Sequence, residues 1–185
     1  MDPIPEQPRE TSFLPVSKEV ADAVLAEIKT DPAKTHNEEL IKMHLEQPGL
    51  SAKFEFLARE YDGFEHGVEK MNYINGLVLG YKILKQSAES KGTAFPKLTD
   101  EEIDSTFISW VDEIRKVEET GESMEQYREK KWDELKAKDP IYHQAMQEVG
   151  QYRMGRQAFY KGASEVYDCF QRKVEAYNME QQANH

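Results

Sequence analysis

Asp62, His66 and Glu69 are the residues whose types and spacing could perform chemistry. Steps of four and three residues place their side chains on one face of a helix. Sets of carboxylate and imidazole groups on bundle helices hold iron, manganese or zinc. A di-iron bundle carries two Glu-x-x-His motifs, and the sequence contains none. The set is therefore a candidate metal site, and surface charge or ordinary hydrogen bonding is the competing interpretation.

Arg156 is the second candidate, because it stands at an apolar position of a seven-residue repeat. Burial of a guanidinium group is costly unless a carboxylate pairs with it. Three interpretations stay open. The side chain extends along the bundle edge to water, forms a buried ion pair with an acid of the 60–69 segment, or binds an anionic ligand or a partner's carboxylate.

Other catalytic patterns find little support. The glycines lie in helical segments, without the strand or the Gly-Lys-Ser/Thr of a phosphate-binding loop, so we expect no cofactor. Cys169 is the only cysteine, which excludes an intramolecular disulfide and predicts a buried thiol. No spacing places a histidine beside this cysteine or a serine. The sequence therefore favours a protein that is not an enzyme.

Composition and charge limit the partners. The 185 residues fit one domain and carry a net charge of −11, concentrated in residues 1–50 and 99–139. An acidic surface argues against direct binding to nucleic acid or anionic membrane. No apolar run reaches the length of a membrane span, and the N-terminus lacks the basic and apolar regions of a signal peptide. We therefore expect a soluble, cytoplasmic protein.

The elements that must position these residues are helices. Prolines in residues 1–16 predict an extended arm, and residues 17–185 read as a single helical domain. Capping residues predict where helices begin, and no segment shows the alternation of a strand. These caps are Ser17, Thr35 with Glu38, Ser51, Thr99 with Glu102, Ser123 with Gln126, and Asp139 before Pro140.

Two of the predicted helices are long, spanning about 52–89 and 140–179, and four are shorter. In the second long helix, apolar residues recur every seven positions, as in a coiled coil. The first has the same spacing and is its expected partner. The sequence therefore predicts an all-α helical bundle built on these two helices.

Glycines are unusually frequent in both long segments, although each costs a helix interior roughly 0.5–1 kcal/mol against alanine. Glycines that are four or seven residues apart lie on the same face of a helix and leave a groove there, because they have no side chains. We expect another backbone or an aromatic ring to pack in that groove. The predicted packing glycines are Gly63, Gly67, Gly76, Gly80, Gly155 and Gly162.

The sequence therefore predicts a non-enzymatic helical protein that acts through a protein partner or through self-association. Aromatic and aliphatic residues on adjacent stripes of the last helix exceed what one antiparallel neighbour covers. Two alternatives stay open. One is an acidic inhibitor whose 99–139 region mimics nucleic acid and blocks a nucleic-acid-binding enzyme. The other is a metal enzyme using the set around His66.

Overall fold

The computed structural model describes residues 13–60 and 67–184, with only the backbone at 55 and 57–60. These ranges contain eight α-helices and no strand, which confirms the predicted all-α bundle. The helices are α1 (Lys18–Thr30), α2 (Pro32–Glu46), α3 (Pro48–Glu60), α4 (Gly67–Ser90), α5 (Asp100–Thr120), α6 (Met124–Lys138), α7 (Pro140–Gly150) and α8 (Arg156–Ala183).

Local capping chemistry sets most helix starts. Ser17 caps α1, and Thr99 and Ser123 form complete capping boxes at α5 and α6. Asp139 caps α7 through the Tyr142 amide. The start of α2 differs from the prediction at Thr35. Asp31 provides the cap and Pro32 the first turn, so Thr35 lies inside the helix.

The centre of the bundle is a close pair formed by α4 and α8. Their contacts advance in the same direction, from Asn72 with Met154 to Tyr81 with Phe170, so the two helices run parallel. The antiparallel neighbour expected for the last helix is therefore wrong for this pair. Helices α1, α2, α3 and α7 also pack on α4, in which fourteen of 24 residues are buried.

Two glycines set the closeness of the α4–α8 pair. A Cβ on Gly76 would clash with the Phe159 carbonyl and lie 3.0 Å from the Ala163 amide nitrogen. A Cβ on Gly162 would meet the Tyr73 carbonyl and lie 3.0 Å from the Leu77 amide nitrogen. The backbone of each helix thus passes directly over a glycine of the other helix. This contact leaves no room for a larger residue at either glycine.

The remaining predicted packing glycines differ from this pair. Gly80 faces the Tyr142 hydroxyl and the Val166 side chain. Gly67 is exposed, and a Cβ there would meet nothing within 4 Å among the described residues. Gly155 has φ +76° and precedes α8, so it serves a turn and not helix packing. Gly63 lies outside the described residues.

The predicted helix over 52–89 is wrong as a single straight element. The rings of Phe54 in α3 and Tyr73 in α4 have centroids 6.5 Å apart. Nineteen residues of straight helix would separate their backbones by about 28 Å. The two helices therefore pack against each other.

The predicted helix over 140–179 is also wrong, because residues 151–155 interrupt it between α7 and α8. Tyr142 donates to the Ala163 carbonyl at 2.6 Å, and its ring lies 4.8 Å from that of Tyr167. The two helices thus fold back as a hairpin. Tyr152, in the interruption between the two helices, is 88% exposed. Gly155 permits this reversal through a backbone conformation that the heptad pattern does not reveal.

The first described residues are bound tightly to the bundle. Phe13 and Val16 are buried, and the Phe13 carbonyl accepts a 2.5 Å hydrogen bond from Ser87. The Val16 amide donates to the Asp139 carboxylate at 2.9 Å. This end of the predicted arm therefore belongs to the core, while residues 1–12 lie outside the described part of the chain.

Candidate binding groove

The predicted metal set is only partly described. Asp62 and His66 lie outside the described residues, and Glu69 is a half-exposed residue in the first turn of α4. Within 13–60 and 67–184, no three His, Cys, Asp or Glu side chains are grouped so that they could share a metal ion. The set therefore remains a prediction.

Arg156 is exposed at the first residue of α8. A buried ion pair at this position is wrong, because the interrupted helix removes Arg156 from the seam that the heptad spacing predicts. Its charge acts on Tyr160 one turn later, where burial raises the pKa of the phenol and Arg156 partly offsets that rise.

A buried ion pair does exist, at a place that no sequence pattern indicates. Lys82 of α4 donates to Glu39 of α2 at 2.9 Å, and both side chains are almost fully buried. Glu27 of α1 lies 2.7 Å from the same ammonium group. Burial lowers the pKa of Lys82, but the hydrogen bonds to Glu27 and Glu39 outweigh it, so the net pKa is raised. Lys82 therefore stays charged, and its ammonium group ties three helices together.

The described residues form an open groove between α5, α6 and α8, here called the aromatic groove. Its empty volume is about 900 Å³, including the open solvent at its mouth. Five aromatic side chains line it: Trp110 of α5, Tyr127 and Trp132 of α6, and Tyr160 and Tyr167 of α8. They include both tryptophans of the protein.

The wall formed by α6 combines apolar and basic side chains. Groove-lining residues recur at steps of three and four, from Met124 through Tyr127 to Leu135, so one side of the helix faces the groove. Arg128, Lys131 and Lys138 lie along this wall. The basic wall stands out in a protein whose net charge is −11.

The floor of the groove is a hydrogen-bonded network. Asp168 accepts from the Trp110 indole at 2.6 Å and from the Arg172 guanidinium at 2.9 Å. Glu113 accepts from the Tyr127 hydroxyl at 2.6 Å and lies 2.8 Å from the Lys131 ammonium. These bonds fix the orientation of the groove's rings.

The pKa shifts follow from this network. Burial raises the pKa of Glu113, but hydrogen bonds from Lys131 and Tyr127 outweigh it, and the net pKa is lowered. Burial and the bond to Glu113 raise the pKa of Tyr127. The carboxylate therefore stays ionised and the phenol stays protonated near neutral pH. Such an arrangement suits binding and orientation better than proton transfer.

One end of the groove rests on stacked rings. The rings of Trp132 and Tyr160 are 4.6 Å apart and nearly parallel, and His143 of α7 lies 4.3 Å from Trp132 on the far side. His143 is buried, and its Nε2 makes no hydrogen bond with the described residues. Burial and the nearby Lys136 lower its pKa, so the imidazole is neutral at pH 7.

Cys169 lies on α8 beside the groove floor but does not open into it. It is buried as predicted, and burial, followed by the charges of Asp168 and Glu165, raises the pKa of its thiol well above the ordinary value. A protonated, buried thiol is a poor nucleophile. The groove therefore offers aromatic surface and fixed charges as its means of recognition.

Sequence reasoning did not find the aromatic groove. The available signal was the position of Trp110 and Trp132, one on each of two consecutive helices. Their meeting with Tyr160 depends on the α7–α8 hairpin, which the sequence did not predict.

Comparison of the chain with protein-family models, with curated proteins and with solved structures gave no match. Among the described helices, none has the length and apolar character needed to cross a membrane.

Proposed function

We propose that the protein is a non-enzymatic interaction subunit that binds a segment of a partner protein in the aromatic groove. The observation that carries this proposal is the concentration of five aromatic rings, both tryptophans among them, in one open concave surface. Tryptophan and tyrosine provide large contact areas at low entropic cost, and for this reason they dominate binding energy at protein interfaces.

The network under the rings supports recognition of a partner. Asp168, Glu113 and Arg172 hold one another and the rings of Trp110 and Tyr127 in place. A surface that is ordered before binding loses less conformational entropy when the partner arrives. The open mouth and the length of the α6 wall suit an extended or helical segment of chain.

Site-specific photocrosslinking in the native cell tests the proposal. Gln157 lines the groove and is exposed, so a photoreactive residue there meets whatever occupies it. Gln144 is exposed on α7 outside the groove and provides the control. We expect a crosslinked protein at 157 that is absent at 144. Equal crosslinking patterns at the two positions would contradict the proposal.

The identified partner is then purified and tested by calorimetry against two charge reversals on α6. Lys138→Glu changes the groove wall, whereas Lys130→Glu makes the same change on the outward side. We expect Lys138→Glu to weaken binding about tenfold, or ~1.4 kcal/mol, and Lys130→Glu to leave it nearly unchanged. Equal losses would indicate a general charge effect and remove the groove from the mechanism.

Binding of the same partner also distinguishes the groove proposal from the inhibitor alternative. Glu125, Glu129 and Asp133 are exposed four residues apart on the outward side of α6, where a nucleic-acid mimic would present carboxylates. If neutralising this row abolishes binding and Lys138→Glu does not, the inhibitor alternative replaces the groove proposal.

A further inference from the structure

The first twelve residues have the composition of a segment that an aromatic groove binds. They read MDPIPEQPRETS and contain Pro5-Glu6-Gln7-Pro8, a P-x-x-P sequence. Proline-rich segments favour the polyproline II conformation, and aromatic-lined grooves recognise this conformation through the proline rings. We propose that the aromatic groove binds the N-terminal segment 1–12 of its own chain. This inference rests on the proposed function of the groove.

The place where the described chain begins supports binding within one molecule. Val16 donates to the Asp139 carboxylate at 2.9 Å, and the Tyr167 hydroxyl donates to the same oxygen at 3.0 Å. Tyr167 lines the groove, and so does Lys138, the residue before Asp139. The segment 13–16 is therefore bound to the same carboxylate as a tyrosine that lines the groove.

Phe13 provides a second anchor beside the groove. Its ring lies 5.6 Å from Phe95, which stacks on Phe170 of α8 at 4.5 Å. The next residue of α8, Gln171, lines the groove. The anchor of Phe13 is thus connected to α8, one of the three helices of the groove, by two ring contacts.

The length of the segment matches the groove. Twelve residues of polyproline II extend to about 37 Å. The α6 wall, from Met124 to Lys138, is 15 residues and therefore about 22 Å long. The segment is long enough to leave its anchor, enter the groove and follow the whole wall.

Charge complementarity favours the same occupant. Residues 1–12 contain three acids, Asp2, Glu6 and Glu10, against one base, Arg9. Four basic residues line the groove, Arg128, Lys131 and Lys138 of α6 with Lys161 of α8, against three lining acids, Glu134, Glu165 and Asp168, and Glu113 of the floor pairs with Lys131. The groove is thus far less acidic than the chain as a whole, whose net charge is −11, and Lys138 at the end of α6 offers an acidic segment a favourable contact.

The consequence is competition for one surface. A short tether supplies an effective concentration in the millimolar range, so even a weak contact is occupied in most molecules. A partner must displace the segment, and the groove therefore selects partners whose own segment is proline-rich and acidic but binds more tightly. The N-terminal segment acts as a built-in competitor.

Intrinsic fluorescence tests this inference in the full chain, because both tryptophans line the groove. The variant Pro5→Ala/Pro8→Ala removes the P-x-x-P prolines, and Gln7→Ala is the matched control between them. We expect the double variant to show red-shifted emission and stronger acrylamide quenching, and the control to match the wild type. A free peptide of residues 1–12 should reverse the change.

Several results would overturn the inference. Identical emission and quenching of the wild type and the double variant would show that the segment does not occupy the groove. A wild-type signal that changes on dilution would assign the occupant to a second copy of the chain. Either result leaves the crosslink at Gln157 untouched, so failure of this inference is distinguishable from failure of the proposed function.

Discussion

The helices α4 and α6 differ sharply in how much of each is buried by its neighbours. Fourteen of the 24 residues of α4 are buried, on all sides of the helix. Only Leu135 is buried among the 15 residues of α6, whose outward side is charged. One helix is enclosed by its neighbours, while the other forms the wall of an open surface.

This difference separates stability from recognition. On α4, almost any change of volume or charge meets a packed backbone or a buried partner. On α6, side chains can change with little effect on the fold, because they border solvent or the aromatic groove. We therefore expect substitutions at the buried positions of α4 to lower stability and substitutions on the groove side of α6 to alter binding.

The largest expected effect is at Lys82 of α4. The variant Lys82→Met removes the buried ammonium 2.9 Å from the Glu39 carboxylate, which then keeps only the half-exposed ammonium of Lys42 at 3.1 Å. We expect a loss of about 3 kcal/mol in the free energy of unfolding, measured by urea denaturation, near the lower end for a broken buried ion pair. The double variant Lys82→Met/Glu39→Gln should recover much of this loss, and a double variant as unstable as the single would refute a specific pair.

The next effect is at Gly76, on the face of α4 that meets α8. The variant Gly76→Ala places a Cβ against the Phe159 carbonyl, so we expect a loss of about 1–3 kcal/mol. The matched control in the same helix is Gly67→Ala, where the added methyl group meets none of the described residues within 4 Å and helix propensity adds a fraction of ~1 kcal/mol at the first helical position. Thermal unfolding compares the two, and equal shifts would contradict the close packing of α4 on α8.

The parts of the fold that depend on local chemistry could be predicted from the sequence. Thr99, Ser123 and Asp139 bind amides within three residues, so their side chains indicate helix starts regardless of the rest of the fold. The all-α class follows from the same local evidence together with apolar periodicity.

The parts that depend on distant contacts could not be predicted. The reversal at 151–155 needs the left-handed backbone of Gly155, while the apolar spacing continues through it as if the helix were unbroken. Lys82 finds Glu39 only because α2 packs on α4, 43 residues away along the chain. The aromatic groove requires three helices and the α7–α8 hairpin to be in place, so no single segment indicates it.

A smaller effect is expected at the groove floor. The variant Asp168→Ala removes the acceptor for the Trp110 indole and the partner of Arg172. We expect a loss of about 1–3 kcal/mol together with altered tryptophan emission, because a groove ring loses its anchor. Gln171→Ala, which removes only an exposed bond to Glu175, should change stability by less than about 0.5 kcal/mol. Unchanged emission in Asp168→Ala would argue against the ordered network.

The smallest effect concerns pH and the support of the α6 wall. Burial and Lys136 lower the pKa of His143, while Asp133 opposes them. As pH falls from 7 to 5, the unfolded chain therefore binds a proton at this site before the folded chain does, and stability decreases. We expect His143→Phe, which keeps a ring against Trp132, to reduce this slope. His36, whose pKa is also lowered by burial and by Arg153, leaves a residual slope.

Hydrogen exchange of the protein with and without the partner crosslinked at Gln157 tests most directly whether α6 and its groove are the binding surface. The account predicts slower exchange of the amides of α6 and of 157–171 in the complex, with α4 nearly unchanged because its amides are already enclosed. Protection confined to helices outside the groove, with α6 exchanging as in the free protein, would contradict it.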